Sequence, residues 1–130
     1  VAKYADWWND VARPLPVLQH KLDVLRAHCD DVGRDFNSIR KTLSIGTYID
    51  KSHSRALEQA GLSNHDGKTT TGRPLYNSDT AVIAGDPSAV REQYKELSEM
   101  GFDLIVTYFE DFQDLSAMKL FIDKVIPEFA

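Results

Sequence analysis

The apolar positions of the C-terminal half form runs and stripes that read as one repeating unit. Ala81 to Gly85 is a short apolar run closed by glycine. Asp86 offers a side-chain oxygen to the free N–H groups of a helix's first turn, and Pro87 suits the first helical position. Val90, Tyr94, Leu97 and Met100 then recur at helical spacing. Gly101 stops the helix, because glycine enters the left-handed conformation without steric cost. Leu104, Ile105 and Val106 open a strand apolar on both faces, the pattern of a parallel sheet covered by helices.

The rest of the chain extends this alternation. Tyr4 to Asn9 reads as a short aromatic strand end opening into a loop. Pro14 and Pro16 precede a helix predicted over 17–32, with the stripe Leu18, Leu22, Leu25, Cys29 and Val32. Gly33 ends it, and 34–38 is a loop. Lys41 to Asp50 is the clearest strand. Leu43, Ile45, Thr47 and Ile49 fall on one bulky face; Thr42, Ser44, Gly46 and Tyr48 fall on a smaller, more polar one. That second face suits a barrel interior or a ligand, and equally the wet side of an antiparallel strand. A short helix over 54–61 leads into a long polar loop over 62–80, the kind that is functional or disordered. The last helix is predicted over 115–129, with Leu115, Met118, Ile122, Val125 and Phe129 on its stripe. Helices separate the strands, so the sheet is expected to be mainly parallel, in an α/β fold.

Composition narrows the partners. A length of 130 residues indicates one domain. The 42% apolar and 27% charged residues are those of a globular domain, and the net charge of −5 without basic clusters excludes nucleic acid or an acidic membrane as partner. Cys29 is the single cysteine, so no disulfide forms within the chain and a reducing compartment is expected, the cytoplasm by default. No run reaches the ~18 apolar residues of a spanning helix. The first residue is Val1, and element-forming sequence follows at once, so the chain reads as starting inside a larger fold; a trimmed or processed N-terminus is the other reading.

Few residues carry recognisable chemistry. Gly61 to Thr69 is similar in composition to a phosphate-binding loop, but it has five residues between its glycines instead of four and follows a helix instead of a strand. Lys68 and Arg73 are candidates to meet an anion from the long loop, or two solvated charges. His20, His28, His53 and His65 stand in no metal-binding spacing, so no metal is expected. His53 lies just past a strand end, where parallel-sheet active sites gather. Cys29 sits on an apolar stripe as a buried thiol. Trp7, Trp8, Tyr48, Tyr76, Tyr108 and Phe109 fall at or near strand ends, where they suit either the walls of a flat ligand site or core and subunit packing.

These segments together resemble a known family. Tyr4-Ala5-Asp6-Trp7-Trp8-Asn9 is similar to the Tyr-Ala-Asp-Gly-Trp segment on a late barrel strand of luciferase-like monooxygenases, with Trp7 where the family has Gly. The helix ending Cys29-Asp-Asp-Val-Gly33-Arg34-Asp35 and the strand start at Ile39 fit the same family. Ile83-Ala84-Gly85-Asp86-Pro87-Ser88-Ala89-Val90 resembles its Gly-Thr-Pro-Glu-Glu-Val helix start, with Asp86 for Thr. Gly101-Phe102-Asp103-Leu104 resembles its Gly-Val-Asp lead into the last strand, and Phe121 to Pro127 its closing Phe-x-x-x-Val-Ile-Pro helix. The resemblance covers nearly the whole chain.

It implies the C-terminal part of a (β/α)8 TIM barrel, 1–130 being one partial-barrel domain of about three to four mainly parallel strands with covering helices. It implies reduced FMN or a deazaflavin as cofactor of the intact enzyme, used for monooxygenation or hydride transfer on a small molecule. Tyr48, Tyr108 and the loop with Arg73 are then expected to line the substrate pocket. No catalytic residue carries over, and cofactor contacts within this chain stay unassigned. A partial barrel leaves strand faces and edges open, so a homo-oligomer is expected and activity of the chain alone is not. The reading from another class is a non-catalytic α/β interaction or small-ligand module.

Overall fold

The computed structural model describes residues 1–62, 81–109 and 114–130. Its elements are β1 (Trp7–Val11), α1 (Leu15–Asp31), β2 (Arg40–Ile49), α2 (His53–Gln59), β3 (Val82–Gly85), α3 (Pro87–Glu99), β4 (Leu104–Tyr108) and α4 (Ser116–Lys124). Single 3-10 turns lie at Phe36–Ser38 and Ile126–Glu128.

All strand pairings are parallel, and β2 is the hub. Its residues 40–44 pair with β1, 46–49 with β3 and 42–46 with β4. Gly46 pairs with both Val82 and Tyr108, so β3 and β4 lie on opposite edges of β2. Thr42 pairs with both Asn9 and Leu104, so β1 shares its edge with β3. The Ala81 N–H donates to Ala12 O at 3.0 Å, joining the end of β1 to the start of β3. The sheet therefore has four strands but is three wide, with β1 and β3 end to end on one side.

One sheet face carries the core. Leu43, Ile45 and Ile49 of β2 and Ile83 of β3 pack with Leu18, Leu22, Leu25 and Cys29 of α1 and Val90, Tyr94 and Leu97 of α3. Each large side chain buried this way contributes about 1.5–3 kcal/mol of transfer free energy. The predicted stripes of α1 and α3 are thus core, except that Val32 lies beyond the helix end and is exposed. Both helices end on a left-handed glycine. Gly33 (φ 68°) lets Arg34 N–H return to Cys29 O at 2.9 Å, and Gly101 (φ 101°) lets Phe102 N–H return to Leu97 O at 3.4 Å. Asp86 caps α3 as its position predicts, accepting from Ser88 N–H at 2.9 Å and Ala89 N–H at 3.0 Å.

The opposite face is largely bare. Trp7, Val11, Leu104, Val106 and Tyr108 project from it and are all exposed, Val106 at 50%. Helices cover only the other face, and the open strand faces expected of a partial barrel are those of this one. The wet antiparallel alternative for β2 is also set aside, since its neighbours are parallel and Thr42, Gly46 and Tyr48 are buried.

Two boundaries shift. The first strand is Trp7–Val11 instead of 4–9, because its ladder with β2 begins at Trp7. The last helix ends at Lys124, and its predicted stripe is not the buried one. Of that stripe only Val125 is buried; Leu115, Met118, Ile122 and Phe129 are exposed, and Phe121, outside the stripe, is buried. Phe121 decides this rotation, meeting Tyr94 (centroids 5.2 Å apart) and Phe109 (5.5 Å) edge-on. No helix among the described residues is long and apolar enough to cross a membrane.

Candidate functional site

The C-terminal ends of β2, β3 and β4 meet the starts of α2, α3 and α4, the end of a parallel sheet where ligands gather. A cleft of about 420 Å3 opens there, walled by Tyr48, Phe109 and Gln59 with Asp50, Arg55 and Asp114. Tyr48 is 9% exposed and packs with Ala60, Leu62, Val82 and Ala84, so the end of α2 roofs the upper part of the otherwise bare face.

Tyr108 lies on the same face as Tyr48, one strand over, and is 41% exposed. Its ring sits against Gly46, where a Cβ would come within 3.0 Å of the ring and the ring would have to shift. Of the three predicted pocket residues, the fold therefore brings Tyr48 and Tyr108 to one end of one face. Arg73 lies outside the described residues, as do His65, Lys68, Tyr76 and most of the 62–80 loop.

The other aromatics disperse. Trp8 turns to the helix side and stacks with Phe102, centroids 6.2 Å apart. Phe109 joins the core. Trp7 stays on the bare face but pairs with Arg40, at the opposite end of β2 from Tyr48, and the Arg40 guanidinium lies 4.5 Å from its ring. The five described strand-end aromatics thus do not form one wall, because alternation sends neighbouring side chains to opposite faces.

The polar groups at the cleft are tied to one another. Asp50 accepts from Ser52 N–H at 2.8 Å and faces Arg55 Nε at 3.9 Å. Asp114 accepts from the Ser116 hydroxyl at 2.8 Å and its N–H at 2.9 Å, and these bonds hold its carboxyl below the usual range. His53 opens α2 with Nδ1 3.3 Å from Asp86 Oδ2 and 3.4 Å from the Asp86 backbone nitrogen. Gly85 makes room for that ring, since a Cβ there would come within 3.1 Å of Nδ1. The pairing of His53 with Asp86 was not legible beforehand; its signal was only that each residue follows a strand end.

Beneath the site, on the helix side, runs a buried hydroxyl chain. Thr107 Oγ1 donates to Thr47 Oγ1 at 2.8 Å, and Thr47 Oγ1 meets Tyr94 OH at 2.7 Å. Burial pushes the Tyr94 phenol above its usual value, and its bonds to the two threonines only partly offset this. The chain joins β2, β4 and α3 and so braces the strands that carry Tyr48 and Tyr108.

A larger apolar groove of about 790 Å3 runs between α1 and the N-terminal residues, lined by Val1, Tyr4, Trp8, Val24 and Leu25. It lies at the side of the sheet, away from the strand C-termini. Of the charged groups lining it, Lys21 pairs with Asp10 and His28 with Asp31. The smaller strand-end cleft is the better candidate, since it combines an aromatic wall with polar groups from β2, α2, α4 and their flanking loops.

No protein-family model matches the sequence, and neither does any curated protein. Solved structures do. A riboflavin lyase with modified FMN and riboflavin superposes with a TM-score of 0.70 at 15% identity, over 98% of this chain and 39% of that one. The coenzyme F420-dependent tetrahydromethanopterin reductase of Methanopyrus kandleri gives 0.69 at 17% identity, over 99% and 47%. An F420-dependent secondary alcohol dehydrogenase holding an F420-acetone adduct gives 0.71 at 14% identity, over 99% and 44%. These are luciferase-like barrel enzymes. At such identities the likeness is one of fold. This chain has the fold of a partial (β/α)8 barrel, and it spans less than half the length of each of these three relatives.

Proposed function

We propose that this chain is the C-terminal portion of a luciferase-like, flavin- or deazaflavin-dependent oxidoreductase or monooxygenase, and that it is inactive by itself. One observation carries this reading. Nearly the whole chain superposes on less than half of enzymes that hold FMN or use coenzyme F420, and its motifs follow the family's order. Bound in the intact enzyme, such a cofactor supplies the redox chemistry.

The described residues fit one wall of a site for a flat ring. Tyr48 and Tyr108 line it, with Arg73 of the long loop as third member, and the substrate is a small molecule. They do not fit the anionic end of such a cofactor. Arg55 at the cleft faces Asp50, and Asp114 adds a second carboxylate. Phosphate anchoring therefore falls to groups outside the described residues. The compartment is the cytoplasm, in keeping with the buried free thiol of Cys29.

Alone, the chain self-associates, because the apolar side chains of its bare sheet face are left exposed by the described residues. Titrating FMN and a deazaflavin against the 130-residue chain, then against a longer polypeptide from the same gene that adds the preceding strands, tests the redox reading. Binding by the longer polypeptide alone is the expected result. Its failure to bind either cofactor overturns the reading and leaves the non-catalytic module in its place.

A further inference from the structure

The two tyrosines of the candidate site are held in different ways. Tyr48 is covered by the chain itself. Past the end of α2, Gly61 N–H returns to Glu58 O at 3.0 Å and Leu62 N–H to Leu57 O at 2.8 Å. That closure folds Leu62 back, and Leu57, Ala60 and Leu62 pack with Tyr48, Val82 and Ala84. The start of α2 is fastened as well. Ser52 N–H donates to Asp50 Oδ1 at 2.8 Å, and Asp86 N–H donates to His53 Nδ1 at 3.4 Å. The cover over Tyr48 therefore consists of described residues, anchored to β2 and β3 at both ends of α2.

Tyr108 is placed by a different device. It is the last residue of β4, opposite Gly46 of β2. Its Cε2, Cζ and hydroxyl lie where a Gly46 side chain would project, so the ring leans from β4 across β2. The cluster that covers Tyr48 does not include it. A ring stacked on Tyr48 would have to lift α2 and expose Ala60 and Leu62, both buried, to water. A ring stacked on Tyr108 displaces neither, and it gains an aromatic contact.

We infer that the flat ring proposed for this site rests on Tyr108, and that Tyr48 is a positioning residue that acts through α2. By seating Ala60 and Leu62, Tyr48 fixes α2 beside the ring, with Arg55 and Gln59 at the cleft. Both roles rest on the flavin or deazaflavin reading above.

The longer polypeptide from the same gene, titrated with FMN and a deazaflavin, tests the division. Tyr108→Ala should weaken binding about tenfold. Tyr108→Phe should keep the affinity but raise the fluorescence of the bound ring, because a phenol in contact quenches it by electron transfer and a phenyl ring does not. Tyr48→Phe keeps the apolar seat of α2 and should leave both affinity and fluorescence unchanged. Tyr48→Ala should weaken binding, and Leu62→Ala should reproduce that loss. A Tyr48→Phe variant that brightens the bound ring, or binds as weakly as Tyr48→Ala, puts Tyr48 against the ring and overturns the division. Tyr108 variants that change neither reading overturn it from the other side. An unaltered polypeptide that binds neither cofactor overturns the flavin reading and both roles with it.

Discussion

The ring of Tyr108 rests on the backbone of Gly46: a Cβ there would lie 3.0 Å from its Cε2 and 3.3 Å from its Cζ. A strand glycine ordinarily weakens a strand, and here the missing side chain is the space the ring occupies. Gly46→Ala removes backbone entropy from the unfolded chain while nudging a half-exposed ring, so its effect should stay within about 1 kcal/mol. Gly46→Val must expel the ring and should cost about 1–3 kcal/mol in urea denaturation. The Tyr108 ring signals in NMR should shift strongly only in the valine variant.

The hydroxyl chain from Thr107 through Thr47 to Tyr94 makes a second prediction. Tyr94→Phe leaves Thr47 paired with Thr107 and should cost about 0.5–1.5 kcal/mol. Thr47→Val removes the hydroxyl through which Tyr94 and Thr107 are linked and should cost about 1–3 kcal/mol. Denaturation that ranks these two in the opposite order would show that Thr47 is not the centre of the chain.

Tyr94 also predicts a pH dependence. Burial raises its pKa above the usual 10.0, so the unfolded chain loses this proton first. Stability from this group is complete below pH 10.0 and declines as pH rises above it through the raised folded value. Comparing denaturation midpoints of the unaltered chain and Tyr94→Phe across that range isolates the effect. The phenylalanine variant should lose the smaller amount of stability on the alkaline side.

Asp86 has two tasks that substitutions can separate. Asp86→Ala removes the cap on Ser88 and Ala89 and should cost about 1 kcal/mol, within the 0.5–2 range of such caps. Asp86→Asn keeps a capping oxygen and should cost less, while removing the charge beside His53. Urea denaturation that ranks the asparagine variant between the unaltered chain and the alanine variant is the expected signature.

At the other end of the sheet, Lys41 is buried beneath Phe36, its Nζ 2.8 Å from Ile39 O and 3.4 Å from Asp103 Oδ2. Asp103 also accepts the Lys41 N–H at 2.8 Å and so ties β4 to β2. Asp103→Ala leaves a buried ammonium and a backbone donor without that acceptor and should cost about 2–3 kcal/mol. Lys41→Met should cost less, since it removes the charge with its desolvation penalty. Thermal melts of the two variants decide the order.

Much of this was written locally. The alternation from Leu43 to Ile49, the Asp86-Pro87 helix start and the Gly101 stop depend on neighbours in sequence, and each was legible as a sequence signal. Tyr48 and Tyr108 could be placed near strand ends for the same reason. The rotation of α4 could not. Its stripe of Leu115, Met118 and Ile122 is as regular as the buried one, and only Phe121 meeting Tyr94 and Phe109 selects between them.

The sequence by itself determined the α/β class, the parallel arrangement and the family likeness, because periodicity, capping and glycine placement act within a few residues. The tertiary structure decided that β1 and β3 share one edge of β2, that Tyr108 sits on Gly46, and that Phe121 turns into the core. Those outcomes depend on which distant segments meet, and each is set by contacts that no local pattern encodes.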